Sequence, residues 1–193
     1  MGKKILTSDA PELITDPINL DRAIQEIQVA LRGIEWLQIV YGRARVIPEL
    51  VNGKLIEMPK VYYGSKEYLN IFLNDNKKSS AWFQVTGSEI PLDYASGAKI
   101  QKYEAPIALI VWFDLKRLQL DHPDFIFTEH LKREIQNKIS RYPNLTIVRV
   151  WDENAAEIFR EYTFDEAKDQ FLTYPKGALR FDFLLTYDYD CTL

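Results

Sequence analysis

The chain has 193 residues and is poor in the residues that staple or interrupt small proteins. It has a single cysteine, Cys191, so no disulfide can form within the chain, and we expect an intracellular, reducing environment. Glycine and proline are scarce, at 8 and 9 residues, whereas 47% of the residues are hydrophobic. This composition excludes collagen-like, low-complexity and disordered chains and predicts a domain with a large hydrophobic core.

Long apolar runs are also missing. The longest run, residues 107–113, has seven residues, whereas a membrane-spanning helix needs about 20. The first nine residues contain Lys3 and Lys4 but lack the apolar stretch of a signal peptide. The sequence therefore predicts a soluble protein with no membrane among its partners.

Catalytic motifs are absent as well. Two histidines, His122 and His130, and one cysteine do not supply the ligand set of a zinc site. The chain has neither a glycine-rich phosphate-binding loop nor a serine nucleophile elbow. We interpret Cys191 as an incidental thiol, because a position so near the C-terminus is hard to support rigidly. The sequence thus predicts a protein that is not an enzyme, with no catalytic residue, no metal and no cofactor.

Two chemical alternatives stay open. Glu57, Lys60 and Asp188 are of the types with which nucleases hold Mg²⁺, which would suit a metal-dependent nuclease or other enzyme of a mobile element. Clustered aromatic residues would suit a ligand-binding module that stacks sugars or bases, although aromatic core packing is the interpretation we prefer. The cluster comprises Tyr62, Tyr63, Tyr68, Phe72, Trp82 and Phe83.

Charge is distributed unevenly along the chain. The formal net charge is −4, from 24 basic and 28 acidic residues, which disfavours a general nucleic-acid binder. Residues 152–190 hold ten acids and four bases, a net of −6, so the rest of the chain has a net charge of +2. Such a distribution suits head-to-tail association of copies, and ordinary solvation of the surface is the alternative.

Apolar periodicity predicts two principal helices after a polar arm over residues 1–15. The first begins near Asp16 or Asn19, and the second runs from Asp124 or Thr128 to Tyr142. A short third helix is predicted from Thr163, which has capping-box spacing to Glu166. The predicted buried stripes are Leu20, Ile24, Ile27, Leu31 and Ile34 on the first helix and Phe127, Leu131, Ile135 and Ile139 on the second.

The remaining pattern predicts strands at residues 68–73, 81–86, 103–118, 145–151 and 179–190, with long loops near 41–66, 74–80 and 87–99. A short strand near 45–47 is expected inside the first loop. The last strand alternates, with Arg180, Asp182, Thr186, Asp188 and Asp190 on an acidic outer face. The predicted class is α+β: a mainly antiparallel sheet with two principal helices packed on it, forming a single domain over residues 16–193.

The order of these elements resembles a family of bacteriophage proteins. Two segments carry the resemblance, APIALIVWFDL at 105–115 and YPKGALRFDFLLTY at 174–187. The pattern is similar to the tail-terminator, tail-completion and neck-ring (head–tail joining) proteins of tailed bacteriophages, including crAss-like phages of Bacteroidetes. The resemblance covers most of residues 17–190 as a pattern, and neither segment is a catalytic signature.

The resemblance implies a tail-terminator-like fold and a structural virion protein. Such a protein forms a ring as a homo-oligomer at the phage neck or tail tube end, and it resides in the host cytoplasm during assembly. Its partners would be portal or connector and tail-tube proteins, with DNA only passing through the channel. Unlike patches on successive copies would close the ring. The candidate interface residues are the basic Lys132, Arg133, Lys138 and Arg141 and the acidic Asp182, Asp188 and Asp190.

Overall fold

A computed structural model describes residues 13–51, 53–64, 67–71, 77–92, 100–118, 124–152, 154–163 and 173–190. The described helices are α1 (Asn19–Leu31), α2 (Leu115–Leu118), α3 (Asp124–Ile139) and α4 (Ala155–Ile158). The described strands are β1 (Ile39–Val51), β2 (Lys54–Gly64), β3 (Glu67–Asn70), β4 (Ser79–Val85), β5 (Ile90–Pro91), β6 (Ile100–Asp114), β7 (Leu145–Asp152) and β8 (Lys176–Asp190).

The strands form one mixed sheet in the order β3-β2-β1-β4-β6-β8-β7, with β5 paired to β6. Among the described strands, β1 and β4 make the one parallel pair, so the predicted α+β class with a mainly antiparallel sheet is confirmed. Strands β6 and β8 pair over 15 residues each and form the centre. The apolar run 107–113 is at most 1% exposed, because layers cover both faces of the sheet there.

Helices α1 and α3 cover the first face of the sheet. Both predicted stripes are buried where their side chains are described, from Leu20 to Leu31 on α1 and from Leu131 to Ile139 on α3. Helix α1 ends at Leu31, and Ile34 remains buried beyond it. The Phe127 side chain lies outside the described part. The two helices are joined where the Tyr142 hydroxyl donates to the Glu26 carbonyl at 2.9 Å.

The second face is covered by residues 154–163, which we call the second-face segment. It begins with α4, whose N-cap Asn154 accepts the Glu157 N–H through its side chain at 3.3 Å. Its Phe159 and Tyr162 side chains pack with Trp82 and Trp112 in a second buried cluster. The helix predicted from Thr163 falls at residues 164–172, outside the described residues.

The structure corrects the expected loop at residues 41–66. Strands β1 and β2 instead form a long hairpin, in register from Ala44 opposite Val61 to Val51 opposite Lys54. Gly53 has a φ of 80° in the turn, and the dipeptide Asn52-Gly53 is a typical hairpin signal that the sequence interpretation missed. Prolines in this segment favour interruptions of a strand, yet a proline lacks only the N–H donor, and the Pro59 carbonyl still accepts the Ile71 N–H at 3.2 Å.

Other strands were predicted at the right positions but with the wrong ends. Residues 115–118, expected as strand, form α2, because the Asp114 carboxylate accepts the N–H groups of Lys116 and Arg117 at 3.1 and 3.3 Å. Residues 79–80 of the expected second loop belong to β4, and residues 90–91 of the third loop form β5. The arm over residues 1–12, residues 72–76 and 93–99, His122 and Cys191 lie outside the described part of the chain.

The β1–β2 hairpin extends past the neighbouring strand. Pairing of β1 with β4 reaches only Ala44, which lies opposite Gln84. The rest of β1 pairs with β2 alone, and β3 joins the outer edge of β2 only from Lys60 onwards. We call this extension, residues 45–51 and 53–60, the ribbon. It is supported by fewer strands than the centre of the sheet.

Candidate functional site

The basic half of the predicted interface lies on α3 and, at Arg141, two residues beyond its end. Arg133 and Arg141 are exposed, and Lys138 is half-buried. Lys132 is engaged within the molecule, because its ammonium donates to Asp152 at 2.7 Å and to Glu129. Burial alone would lower the pKa of Lys132, but these two hydrogen bonds and charges outweigh it and raise the pKa. The basic surface available to a partner is therefore smaller than predicted.

The acidic half is corrected at Asp182 and at its neighbour Arg180, both expected on a solvated face. Arg180 is fully buried and donates to Glu161 at 2.5 and 2.6 Å and to Asp182 at 2.7 Å. The Trp151 indole also donates to Asp182, at 3.0 Å. Alternation separates two faces of β8, but it does not show that both are covered, and the second-face segment covers this one. These residues are structural.

Asp188 and Asp190 remain exposed at the end of β8. This end lies close to the end of α3, because the Asn144 carbonyl accepts the Thr186 N–H at 2.8 Å. The exposed acids and Arg141 are therefore found toward the same end of the sheet.

The residues of the two chemical alternatives are dispersed. Lys60 bonds Glu49 at 3.0 Å, while Glu57 lies an odd number of positions away on β2 and points to the other side. Among the described residues, no group of three or more histidine, cysteine or acidic residues is placed to hold a metal ion. The described part of the chain also has no helix long and apolar enough to cross a membrane.

Trp82 is not available for stacking on a ligand. It is 0% exposed, as is Phe83, and its indole donates to the Tyr162 hydroxyl at 2.9 Å. Burial raises the pKa of Tyr162, and the hydrogen bond from Trp82 only partly opposes this. Tyr62 and Tyr68 are exposed on β2 and β3, with ring centroids 5.5 Å apart. The preferred interpretation of Trp82 and Phe83 as core residues is confirmed.

Exposed apolar side chains occur at the end of the ribbon. Leu50 and Leu55 are 72% and 64% exposed. They are direct partners in the β1–β2 register, so their side chains stand side by side on one face. Glu49 and Lys54, next to them in sequence, are also exposed, and strand alternation places their side chains on the opposite face of the ribbon. We call this surface the ribbon tip; no charge or catalytic motif in the sequence marked it.

A shallow, open depression lies on the outer side of α1, with a volume of about 390 Å³. Gln25 fixes the chain before the helix along this side, since its side-chain amide accepts the Ile14 N–H at 2.9 Å and donates to the Ile14 carbonyl at 3.1 Å. Val29 contributes a side chain that is 50% exposed. The depression, which we call the α1 groove, is lined by Pro17, Arg22, Gln25, Glu26, Val29 and Tyr142.

No family model matches the chain, and no curated protein matches its sequence. The surfaces described above and the resemblance in the order of elements are therefore the basis for a function of this chain.

Proposed function

We propose that the chain is a structural virion protein that forms a ring at the neck or tail tube end of a tailed bacteriophage, in head–tail joining or tail termination. The observation that carries this proposal is the ribbon tip, where Leu50 and Leu55 stand in solvent at the end of an extended hairpin. The resemblance in the order of elements supplies the place in the virion and the tail-terminator-like fold.

Part of the ribbon is held by the body of the molecule, because Val46, Ile56 and Met58 pack against the second buried cluster and the Glu57 N–H donates to the Thr163 hydroxyl at 2.9 Å. These contacts leave its end in solvent. Contiguous exposed apolar side chains mark surfaces that contact other macromolecules. Leu50 and Leu55 give this hairpin the exposed apolar end that such a contact needs. A tightly packed body that carries a projecting, apolar-tipped ribbon suits an assembly subunit.

Ring formation requires that each copy present two different surfaces. A contact between unlike patches generates a closed ring when the rotation between copies closes. The ribbon tip is one such surface, and the α1 groove and the exposed end of α3 with Arg133 and Arg141 are others. In this proposal, portal or connector and tail-tube proteins bind the rims of the ring, and DNA passes through its channel.

The test measures the mass of the purified full chain by light scattering, with negative-stain images of the same fractions. We expect rings of several copies. The variant Leu50→Ser/Leu55→Ser should lose them. A matched control, Val148→Ser, removes a 60% exposed side chain from β7 and should keep them. A chain that stays monomeric at every concentration contradicts the proposal.

An activity screen distinguishes the enzyme alternative. We expect no cleavage of DNA or RNA by the full chain, with or without Mg²⁺. Cleavage that depends on Mg²⁺ and is lost in Glu57→Gln or Asp188→Asn would instead support a nuclease. Neither substitution changes a buried residue, so neither should prevent folding.

A further inference from the structure

We propose that the ribbon tip of one copy inserts into the α1 groove of the next copy, so that a second molecule of the same chain is its occupant. This inference rests on the proposed function in one respect, because it assumes that copies of the chain associate. Beyond the proposed function, it specifies which two surfaces meet and that the contact runs head-to-tail.

The two surfaces match in polarity. The ribbon tip presents two neighbouring leucines. The α1 groove is an open depression with Val29, Pro17 and Tyr142 in its lining. Ile14 and Ile18, which precede α1, are 54% and 64% exposed and extend the apolar surface on the helix side. Desolvation of apolar surface on both partners would drive such a contact.

The charges around the two surfaces are complementary. Lys54 is exposed at the tip, and Glu26 is exposed in the lining of the groove. Glu49 and Arg22 are engaged within the molecule, since Lys60 bonds Glu49 at 3.0 Å and the Arg22 Nε donates to the Pro17 carbonyl at 3.1 Å. The pair available to the contact is therefore Lys54 with Glu26, and an unlike pair at the edge of an apolar contact orients the partners.

The contact cannot form within one molecule. The buried stripe of α1 faces the sheet, so the groove residues on its other side open away from the sheet. The ribbon continues along the strand direction of β1, beyond the last residue paired with β4. In the single molecule Leu50 remains 72% exposed. The tip can therefore reach a groove only on another copy, which makes the contact head-to-tail and repeatable.

A charge exchange tests the pairing in the full chain. Lys54→Glu and Glu26→Lys each place like charges together, so we expect each to weaken association by about tenfold, as measured by light scattering. The double variant Lys54→Glu/Glu26→Lys restores the unlike pair and should associate within about threefold of the unchanged chain. Arg45→Glu, at the exposed base of the ribbon, is the matched control and should associate normally.

Cross-linking locates the contact directly. In a Cys191→Ser background, one protein carries Lys54→Cys and a second carries Val29→Cys. A short bis-maleimide should give cross-linked dimers when the two proteins are mixed, and few when either is treated alone.

Three outcomes overturn the inference. If rings form but the mixed cross-link does not, the ribbon tip does not bind the α1 groove. The same conclusion follows if both single charge variants form rings as well as the unchanged chain does. In either case the proposed function stands with a different interface. Absence of any assembly overturns both proposals.

Discussion

The centre of the sheet and the ribbon are built from similar residues and use them differently. In the centre, Trp82, Trp112 and Phe183 are at most 1% exposed. In the ribbon, Leu50 and Leu55 are more than 60% exposed. The difference arises because α1, α3 and the second-face segment cover the central strands, whereas the contacts that the ribbon makes with the second buried cluster, through Val46, Ile56 and Met58, leave Leu50 and Leu55 in solvent. Apolar content shows that a strand can pack; the layers around it decide whether it packs within its own molecule.

The largest effect on stability is expected at the centre, at Arg180. Arg180→Met removes the buried cation and leaves the carboxylates of Glu161 and Asp182 without their main partner. Removing one member of a buried ion pair costs about 3–5 kcal/mol in the free energy of unfolding. Urea denaturation measures this loss. Asp188→Asn, on the same strand but exposed, should change it by less than about 0.5 kcal/mol. A loss below about 1 kcal/mol for Arg180→Met would show that the ion pairs contribute little.

A somewhat smaller effect is expected where Gly177 passes over Phe113. A Cβ added at Gly177 would lie 2.6 Å from Phe113 Cε2 and 3.0 Å from its Cζ. Gly177→Ala should therefore cost about 1–3 kcal/mol through overpacking. In a Phe113→Leu background the ring is gone, so the same substitution should cost clearly less. Equal costs in the two backgrounds, measured as a double-mutant cycle, would refute this packing argument.

The free energy of unfolding at alkaline pH provides a third test of the centre of the sheet. Burial raises the pKa of Tyr162, so the unfolded chain loses this proton at lower pH than the folded chain does. The folded state then binds more protons, and the free energy of unfolding falls as pH rises above about 10. Tyr162→Phe should make this fall shallower by up to about 1.4 kcal/mol per pH unit. Urea titrations across this range measure the slope, and an unchanged slope would mean that Tyr162 is not the responsible group.

The apolar periodicity of the sequence correctly predicted the helices and strands that bury one face. The stripe from Leu20 to Leu31 and the alternation from Leu179 to Tyr187 were correct, because burial of one face imposes its period on the sequence. Arg180 follows the same alternation, yet its surroundings depend on Glu161, nineteen positions earlier. No local pattern contains that contact. The hairpin at Asn52-Gly53 was a different kind of miss, since its turn signal was present in the sequence.

The candidate surfaces were less predictable than the fold. Charge pattern identified Arg133 and Arg141, which are exposed, but also Lys132 and Asp182, which the molecule uses for internal bonds. Composition cannot distinguish a charge that meets solvent from one that meets a partner within the fold. A leucine in a strand is assigned to the core by default. The exposure of Leu50 and Leu55 depends on which other parts of the molecule cover the ribbon, and no local pattern contains that information.

The smallest effect on stability is expected at the ribbon tip, and it distinguishes the ribbon from the centre of the sheet most clearly. In dilute solution, Leu50→Ser/Leu55→Ser should change the free energy of unfolding by no more than about 0.5 kcal/mol, because both side chains are already in solvent. Leu109→Ala, at the buried centre, should cost about 2–5 kcal/mol.

Raising the protein concentration should separate the two regions further. Association adds stability by mass action, so the Tm of the unchanged chain and of Leu109→Ala should rise with concentration, whereas the Tm of the serine variant should stay constant. A cost above about 2 kcal/mol for the serine variant in dilute solution would place the ribbon tip within the monomer's own core and remove the contrast between the regions. A concentration-independent Tm for the unchanged chain would remove the reason to regard the exposed leucines as an assembly surface.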